Sequence, residues 1–163
     1  MAALEYEIGE LLKSKKLTLG TVESATGGLI AHLVTGVTGS SEYFKGSVVS
    51  YANEIKINVV GVKESTLTKY GAVSSQTAEE MAQGGRKLLN VDICVADTGI
   101  AGPGGATPAG ATPAKAVGLF YLGLANAGGV FSRKHEFHGN REENKLAAAR
   151  AALEWIREYL LTL

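Results

Sequence analysis

The sequence predicts an α/β domain in which a mixed sheet of about five strands lies between two helical layers, a three-layer α/β/α sandwich. The chain has 163 residues, 45% apolar and 20% charged, a composition typical of one globular domain, which we assign to residues 1–163. Helical and strand-like patterns alternate along the chain, which favours strands joined by helices. One pair of strands instead closes as a hairpin, so the sheet is predicted to be mixed.

The spacing of apolar residues, together with the Gly, Pro and Ser residues between them, predicts each element in turn. The run Ser74–Thr77 is typical of a helix cap, and Asn126–Gly129 is typical of a hairpin turn. Glycines and prolines exclude a regular element in 99–116, where the doubled Gly-Ala-Thr-Pro-Ala of 105–114 is interpreted as a loop extension. The predicted elements are, in chain order, helix 4–15, strand 17–22, helix 29–36, strand 46–51, a short helix at 53–61, a short helix around Leu67 and Tyr70, helix 74–89, strand 91–96, strand 117–125, strand 130–137 and helix 142–161.

The composition excludes several classes of function. Sixteen acidic residues balance sixteen basic ones, so nothing predicts binding to nucleic acid or to a membrane surface. No apolar run approaches the roughly 18 residues of a membrane span, and the N-terminal residues lack a signal-peptide pattern, so we expect a cytoplasmic protein. Cys94 is predicted to be a small buried side chain. His135 and His138 point to opposite faces of a predicted strand, and no carboxylate cluster accompanies them, so neither a metal nor another cofactor is predicted.

The first motif that could form part of a catalytic or binding site is Glu23-Ser24-Ala25-Thr26-Gly27-Gly28, between a predicted strand and a predicted helix. A serine at such a turn lies at the sheet edge where open α/β folds bind ligands. The glycines allow a ligand to approach the backbone, and free N–H groups at the helix start can hold a phosphate or an oxyanion. The same residues are equally explained if Ser24 or Thr26 only caps the helix. The motif is not the Gly-x-Ser-x-Gly of α/β-hydrolases.

The second motif is Tyr51-Ala52-Asn53-Glu54-Ile55-Lys56. A serine nucleophile needs a base that is active near neutral pH, and no histidine is placed for that role. A lysine desolvated against a sheet can lose its proton at neutral pH, and the Tyr51 phenol is positioned in sequence to orient that proton. The alternative is a solvated surface Lys56 beside a tyrosine of the core.

Two further motifs lie near the same predicted sheet edge. Thr98–Gly105 follows a buried strand but matches neither the dinucleotide-binding fingerprint nor the P-loop, so it supplies either backbone donors, a substrate wall or only an irregular loop. Arg141 precedes the last helix, where it is either a clamp for a phosphate or carboxylate or an exposed residue of the first helical turn.

Taken together, these motifs resemble the C-terminal domain of the bacterial competence/damage-inducible CinA proteins, a domain also found as stand-alone nicotinamide-nucleotide amidases. The resemblance runs from about residue 5 to 160. Any one motif alone would be weak, but five in order at the right spacing are specific. The matching segments are Glu23–Gly28, Gly39–Phe44, Tyr51–Lys56, Gly71–Ser74 and Gly99–Gly105.

The resemblance implies hydrolysis of the carboxamide of nicotinamide mononucleotide to nicotinic acid mononucleotide and ammonia, a reaction of pyridine-nucleotide recycling. Ser24, Tyr51 and Lys56 are the implied catalytic residues: Lys56, helped by Tyr51, takes the proton of Ser24, which attacks the amide carbon, and water hydrolyses the acyl-enzyme. Backbone N–H groups of 26–28 or of 102–105 are expected to hold the oxyanion, and a helix start or Arg141 the substrate phosphate. The expected substrate-binding residues are Glu23, Thr26, Gly27, Gly28, Ser40, Asn53, Gly102, Gly104 and Arg141.

The chain departs from the family pattern at two places. Ala25 stands where family members usually have Cys, and the doubled loop at 105–114 is longer than usual, which keeps open an amidase for a different small amide. A non-catalytic nucleotide-binding or regulatory domain linked to competence or DNA damage is the other alternative. The N-terminal domain of the larger CinA proteins is not expected here. A homodimer through apolar residues such as Val130, Phe131 and Leu161 is a further expectation, based on the family as much as on the apolar pattern.

Overall fold

The computed structural model describes residues 3–104 and 114–163, and it confirms the predicted α/β/α architecture with a mixed five-stranded sheet. The doubled loop therefore lies almost wholly outside the described residues. The elements are α1 (Leu4–Lys15), β1 (Leu19–Glu23), α2 (Leu29–Thr35), a 3-10 turn (Ser40–Glu42), β2 (Phe44–Val49), α3 (Asn53–Ile55), a π-helix (Lys56–Val60), α4 (Glu64–Tyr70), α5 (Ser75–Leu89), β3 (Ile93–Gly99), β4 (Leu119–Asn126), β5 (Gly129–Glu136) and α6 (Arg141–Leu161).

The sheet has the strand order β2-β1-β3-β4-β5. Strands β1, β2 and β3 are parallel, and β4 and β5 add an antiparallel hairpin to the β3 edge. Strand β1 lies between β2 and β3, so the connection from β1 to β2 and the connection from β2 to β3 run in opposite directions across the sheet. Such a switch in direction opens a crevice beyond the carboxyl ends of the strands, where ligands bind in open α/β sheets.

Both faces of the sheet are covered by apolar side chains. Along β3, Ile93 and Val95 belong to the core under α1, α2 and α6, whereas Cys94 and Ala96 belong to the core under α5. This alternation follows from the two-residue period of a strand, and it explains why the run reads as continuously apolar. The predicted burial of Cys94 is confirmed, and burial raises the pKa of its thiol to about 12, so it stays protonated.

Helix α5 lies unusually close to the sheet at Gly85. A Cβ atom built there would lie 2.2 Å from Val22 Cγ2 and 2.7 Å from Cys94 Sγ, so only glycine allows this approach. Ser74 caps the helix as predicted, because its side chain accepts the N–H of Thr77 at 3.1 Å. Within the described residues, no helix is both long and apolar enough to cross a membrane.

Three elements differ from their predicted form near the carboxyl edge of the sheet. The predicted helix at 53–61 is one short turn of α-helix followed by the π-helix Lys56–Val60. Strand β2 ends at Val49, which leaves Tyr51 in the following loop. Strand β3 continues past its apolar run through Asp97 and Thr98, because the ladder with β4 continues there although the side chains become polar.

Candidate active site

The segments that follow the three parallel strands meet at one edge of the sheet. Ser24 follows β1, Tyr51 follows β2, and Thr98 lies at the end of β3. Between them lies a cavity of about 190 Å³. Its walls are formed by Ser24, Ala25, Tyr51, Asn53, Lys56, Ala72, Val73, Thr98, Gly99, Ile100, Ala101, Gly104 and Arg141.

Lys56 and Ser24 form a hydrogen-bonded pair in the wall of this cavity. Lys56 Nζ lies 3.0 Å from Ser24 Oγ, and it donates to the carbonyl oxygens of Ser50 at 2.7 Å and Tyr51 at 2.9 Å. A neutral lysine has two N–H bonds and one lone pair. As an ammonium, Lys56 donates to both carbonyls and to Ser24 Oγ. Once it has lost one proton, the two carbonyls still satisfy both N–H bonds, and the lone pair faces the Ser24 hydroxyl, whose proton it can accept.

The surroundings of Lys56 favour that unprotonated form. Lys56 is the first residue of the π-helix and is 1% exposed. Burial lowers the pKa of Lys56 from 10.5 to about 8, against the opposite pull of the Asp97 carboxylate. At pH 7 roughly a tenth of the amine is then neutral, the range in which a general base works.

Two buried carboxylates hold the turn that carries Ser24. Asp97 accepts the backbone N–H of Ser24 at 3.0 Å and that of Thr26 at 3.1 Å. Glu23 accepts the N–H of Gly28 at 3.1 Å and those of Ile30 and Ala31 at 2.9 Å, so it caps the start of α2. Burial, together with the neighbouring Glu23, raises the pKa of Asp97 to about 6, against the hydrogen bonds from Ser24 and Thr26.

These contacts change the expected roles of the glycine-rich turn. The N–H groups of Thr26, Gly27 and Gly28 already donate to Asp97, to the Ser24 carbonyl and to Glu23 respectively, so they are not free for a substrate oxyanion. Glu23 is fully buried and occupied by the start of α2, so the structure places it behind the cavity instead of against a substrate.

The backbone N–H of Ala25 is the group at this turn that could hold an oxyanion. Ala25 lines the cavity, and its N–H donates to no atom of the residues that the structure describes. It follows the serine directly, as does one of the oxyanion donors in α/β-hydrolases. A backbone N–H at this position is suited to hold the oxygen of a carbonyl that Ser24 attacks.

Ser40 lies beside the amino ends of the parallel strands, whereas the cavity lies beyond their carboxyl ends. Helix α2 carries the chain back along the sheet, and the 3-10 turn Ser40–Glu42 comes just before β2. There the N–H of Leu19, the first residue of β1, donates to the Tyr43 carbonyl at 2.8 Å. The length of β1, about 16 Å for five residues, therefore separates Ser40 from Ser24. Ser40 is not a wall of the cavity, although it belongs to a motif of the family.

Arg141 and Tyr51 form the mouth of the cavity. Arg141, the first residue of α6, donates from Nη1 to the Gly102 carbonyl at 2.8 Å, and its Nη2 lies 3.5 Å from the Tyr51 hydroxyl. Tyr51 is 63% exposed. Within the described part of the chain its phenol contacts Arg141 and makes no hydrogen bond to Ser24 or Lys56, whereas its backbone carbonyl orients the amine.

The remaining expected residues lie around this mouth. Asn53 and Gly104 are walls of the cavity, and Gly102 is held against Arg141 through its carbonyl. Asn144 fixes the same loop from α6, because its side-chain amide donates to the Ala101 carbonyl at 3.0 Å. Helix α6 thus positions both the guanidinium and the loop.

Asp97 is a residue of the site that the sequence motifs did not include. The signal that marks it is an acidic residue that directly follows the apolar run Val91–Ala96, just before a glycine-rich loop. A carboxyl group in a buried strand needs partners, and the carboxyl end of a parallel strand supplies them from the neighbouring turn. No group of three or more His, Cys, Asp or Glu side chains suited to a metal occurs among the described residues.

Fold and site together define a class of protein: an α/β/α domain with a buried serine–lysine pair in the crevice beyond its parallel strands. The family model of the CinA C-terminal domain matches residues 1–160. The chain belongs to this family, which confirms the resemblance inferred from the five motifs.

Relatives in sequence and in structure carry related names. A CinA-like protein of Salinibacter ruber is 46% identical over 157 residues, which are 96% of this chain and 37% of that protein. This chain thus spans 37% of the length of that curated relative. A CinA superfamily protein of Klebsiella pneumoniae superposes with a TM-score of 0.90 at 29% identity, covering 98% of this chain and 97% of its own. The competence/damage-inducible protein CihA of Agrobacterium tumefaciens has a TM-score of 0.86 at 36% identity, covering 97% and 98%.

Proposed function

We propose that this chain is an amidase that hydrolyses the carboxamide of nicotinamide mononucleotide, with Ser24 as nucleophile and Lys56 as general base. The observation that carries the proposal is the 3.0 Å contact between a desolvated amine and a serine hydroxyl in the wall of a cavity. A lysine with a pKa of about 8 can accept a proton at physiological pH, and a serine needs such a partner to attack an amide.

The proposed reaction has two halves. Neutral Lys56 takes the proton of Ser24 as Oγ attacks the carboxamide carbon, and the Ala25 N–H holds the resulting oxyanion. The C–N bond then breaks, the lysine proton passes to the leaving nitrogen, and ammonia departs. In the second half Lys56 takes a proton from water, hydroxide attacks the acyl-enzyme, and Ser24 leaves with that proton. The products are the carboxylate and ammonium, because the carboxylic acid gives its proton to the released ammonia, and the protein is unchanged.

The mouth of the cavity supports a substrate with a phosphate and a pyridinium ring. Arg141 uses one N–H on Gly102 and lies only at 3.5 Å from the Tyr51 hydroxyl, so donors of its guanidinium remain for an anion. The exposed ring of Tyr51 offers an aromatic face to a positively charged ring. A phosphate at Arg141 and a carboxamide at Ser24 would then lie at the two ends of one bound nucleotide.

A panel of amides scored by ammonia release tests the proposal. Nicotinamide mononucleotide should be the preferred substrate over nicotinamide riboside, which lacks the phosphate, and over free nicotinamide. Ser24→Ala should abolish release, and a parent rate in this variant would remove Ser24 as the nucleophile. Release from another small amide alone would favour an amidase of different specificity. A nucleotide that raises the Tm without being consumed would favour a binding domain.

A further inference from the structure

Asp97 occupies a position that the proposed reaction does not use directly. It is fully buried in β3, next to β1, and it accepts the N–H groups of Ser24 and Thr26. These two residues flank Ala25, whose N–H is the proposed oxyanion donor. The Asp97 carboxyl group therefore sets the backbone geometry of the nucleophile and of the oxyanion donor together.

A count of protons shows how Asp97 is linked to Glu23. The Thr26 hydroxyl lies 2.7 Å from Glu23 Oε1 and 2.5 Å from Asp97 Oδ1, but it has only one proton to donate. Both contacts are hydrogen bonds only when one carboxyl group carries a second proton. Asp97 accepts two backbone N–H groups and Glu23 accepts three, so Asp97 is the carboxyl group that binds the second proton as the pH falls. Burial and the charge of Glu23 raise the pKa of Asp97 to about 6, in agreement with this count.

The charged neighbours of Asp97 come from two directions. Glu23 on β1 disfavours its ionisation, and Lys56 on the π-helix interacts with it as an opposite charge. Strand β4 places the apolar Leu122 beside it, and the buried residues of α6 carry no charge. The ionised Asp97 therefore acts mainly on Lys56, where it favours the ammonium form and opposes the effect of burial.

We propose that Asp97 is a positioning residue for the Ser24–Lys56 pair: its buried carboxyl group accepts the N–H groups on both sides of Ala25 and so holds Ser24 against the Lys56 amine. The inference rests on the proposed function only in treating Ser24 and Lys56 as the reacting groups. It adds a residue that acts through others and touches no substrate. Protonation of Asp97 below about pH 6 would remove a charge that holds the proton on Lys56.

The test compares Asp97→Asn with Asp92→Asn, a matched change at the other end of β3, where Asp92 accepts the N–H of Thr18 at 2.8 Å. The Lys56 ε-carbon is followed by NMR in lysine-labelled protein, with its signal identified by loss in Lys56→Met. Asp97→Asn should lower the Lys56 midpoint by about one pH unit, the lower end of the effect of a nearby opposite charge. The acid limb of the pH profile for ammonia release should move in the same direction, and Asp92→Asn should move neither.

An unchanged Lys56 midpoint in folded Asp97→Asn, judged by an unchanged circular dichroism spectrum, would overturn the proposal. If that variant does not fold, the parent protein decides the question through its Asp97 carboxyl carbon. This signal should titrate well above the ordinary range near 4, with a matching inflection in the Lys56 signal. An Asp97 that titrates without any Lys56 response would equally overturn the proposal. Because the NMR midpoints need no turnover, failure of the proposed amidase reaction is distinguishable from failure of this inference.

Discussion

Replacement of Lys56 by arginine separates the proposed role of the amine as a base from its role as a positive charge. Arginine keeps the charge and most of the reach, but it does not lose its proton in a protein. Burial lowers the pKa of Lys56 from 10.5 to about 8, which raises the neutral fraction at pH 7 by a factor of about 300. Lys56→Arg removes all of that neutral amine, and we expect kcat to fall by about 10² to 10⁴, the range of general-base catalysis.

The parent protein should show the same base in its pH dependence. Because the amine is active only when unprotonated, the rate of ammonia release should rise about fivefold from pH 7 to pH 8 and level off above about pH 9. The assay is ammonia release from nicotinamide mononucleotide at saturating substrate, with Lys63→Arg, a change at an exposed lysine, as the control. A flat profile over this range, or a Lys56→Arg variant close to the parent rate, would refute the assignment of Lys56 as the base.

Three other substitutions test the site and the fold. Arg141→Ala should raise KM for nicotinamide mononucleotide about 10- to 100-fold in steady-state kinetics and leave KM for nicotinamide riboside unchanged. Arg157→Ala, on the same helix, should change neither KM. Glu23→Gln replaces one of the two acceptor oxygens by an NH2 group, which faces a buried backbone N–H, so urea denaturation should show a loss of about 1–3 kcal/mol. An unchanged midpoint would contradict the capping role. Gly85→Ala should lower stability by about 1–3 kcal/mol through overpacking, while Gly36→Ala, where the nearest atom lies at 3.4 Å, should have little effect in the same titration.

Much of this molecule could be predicted from local patterns. The strand–turn–helix around Ser24, the cap at Ser74 and the hairpin at Asn126–Gly129 all follow from residues that are neighbours in the chain. Apolar periodicity and the conformational preferences of glycine act over a few residues, so they can be recognised in the sequence without a structure. The predicted end of the strand at residue 96 was too early, because β3 continues through polar residues such as Asp97. Hydropathy does not show where the hydrogen bonds between neighbouring strands continue.

The candidate site was predictable in its residue types but not in its contacts. Ser24 and Lys56 were expected to react together, and the fold brings their side chains to 3.0 Å. Tyr51 was expected to act through its phenol, yet its carbonyl is the group that contacts the amine. The motif containing Ser40 was expected at the site, yet α2 returns the chain to the other edge of the sheet.

The sequence by itself determined the α/β/α class, the order of the elements and the presence of a candidate serine and lysine, because each depends on side-chain chemistry and short-range spacing. Only the tertiary structure decided which backbone N–H groups remain free, how deeply Lys56 is buried, and which carboxylate lies beside it. Proton affinity and hydrogen-bond occupancy depend on partners that are distant in the chain, such as Asp97 for Ser24, and strand pairing brings those partners together.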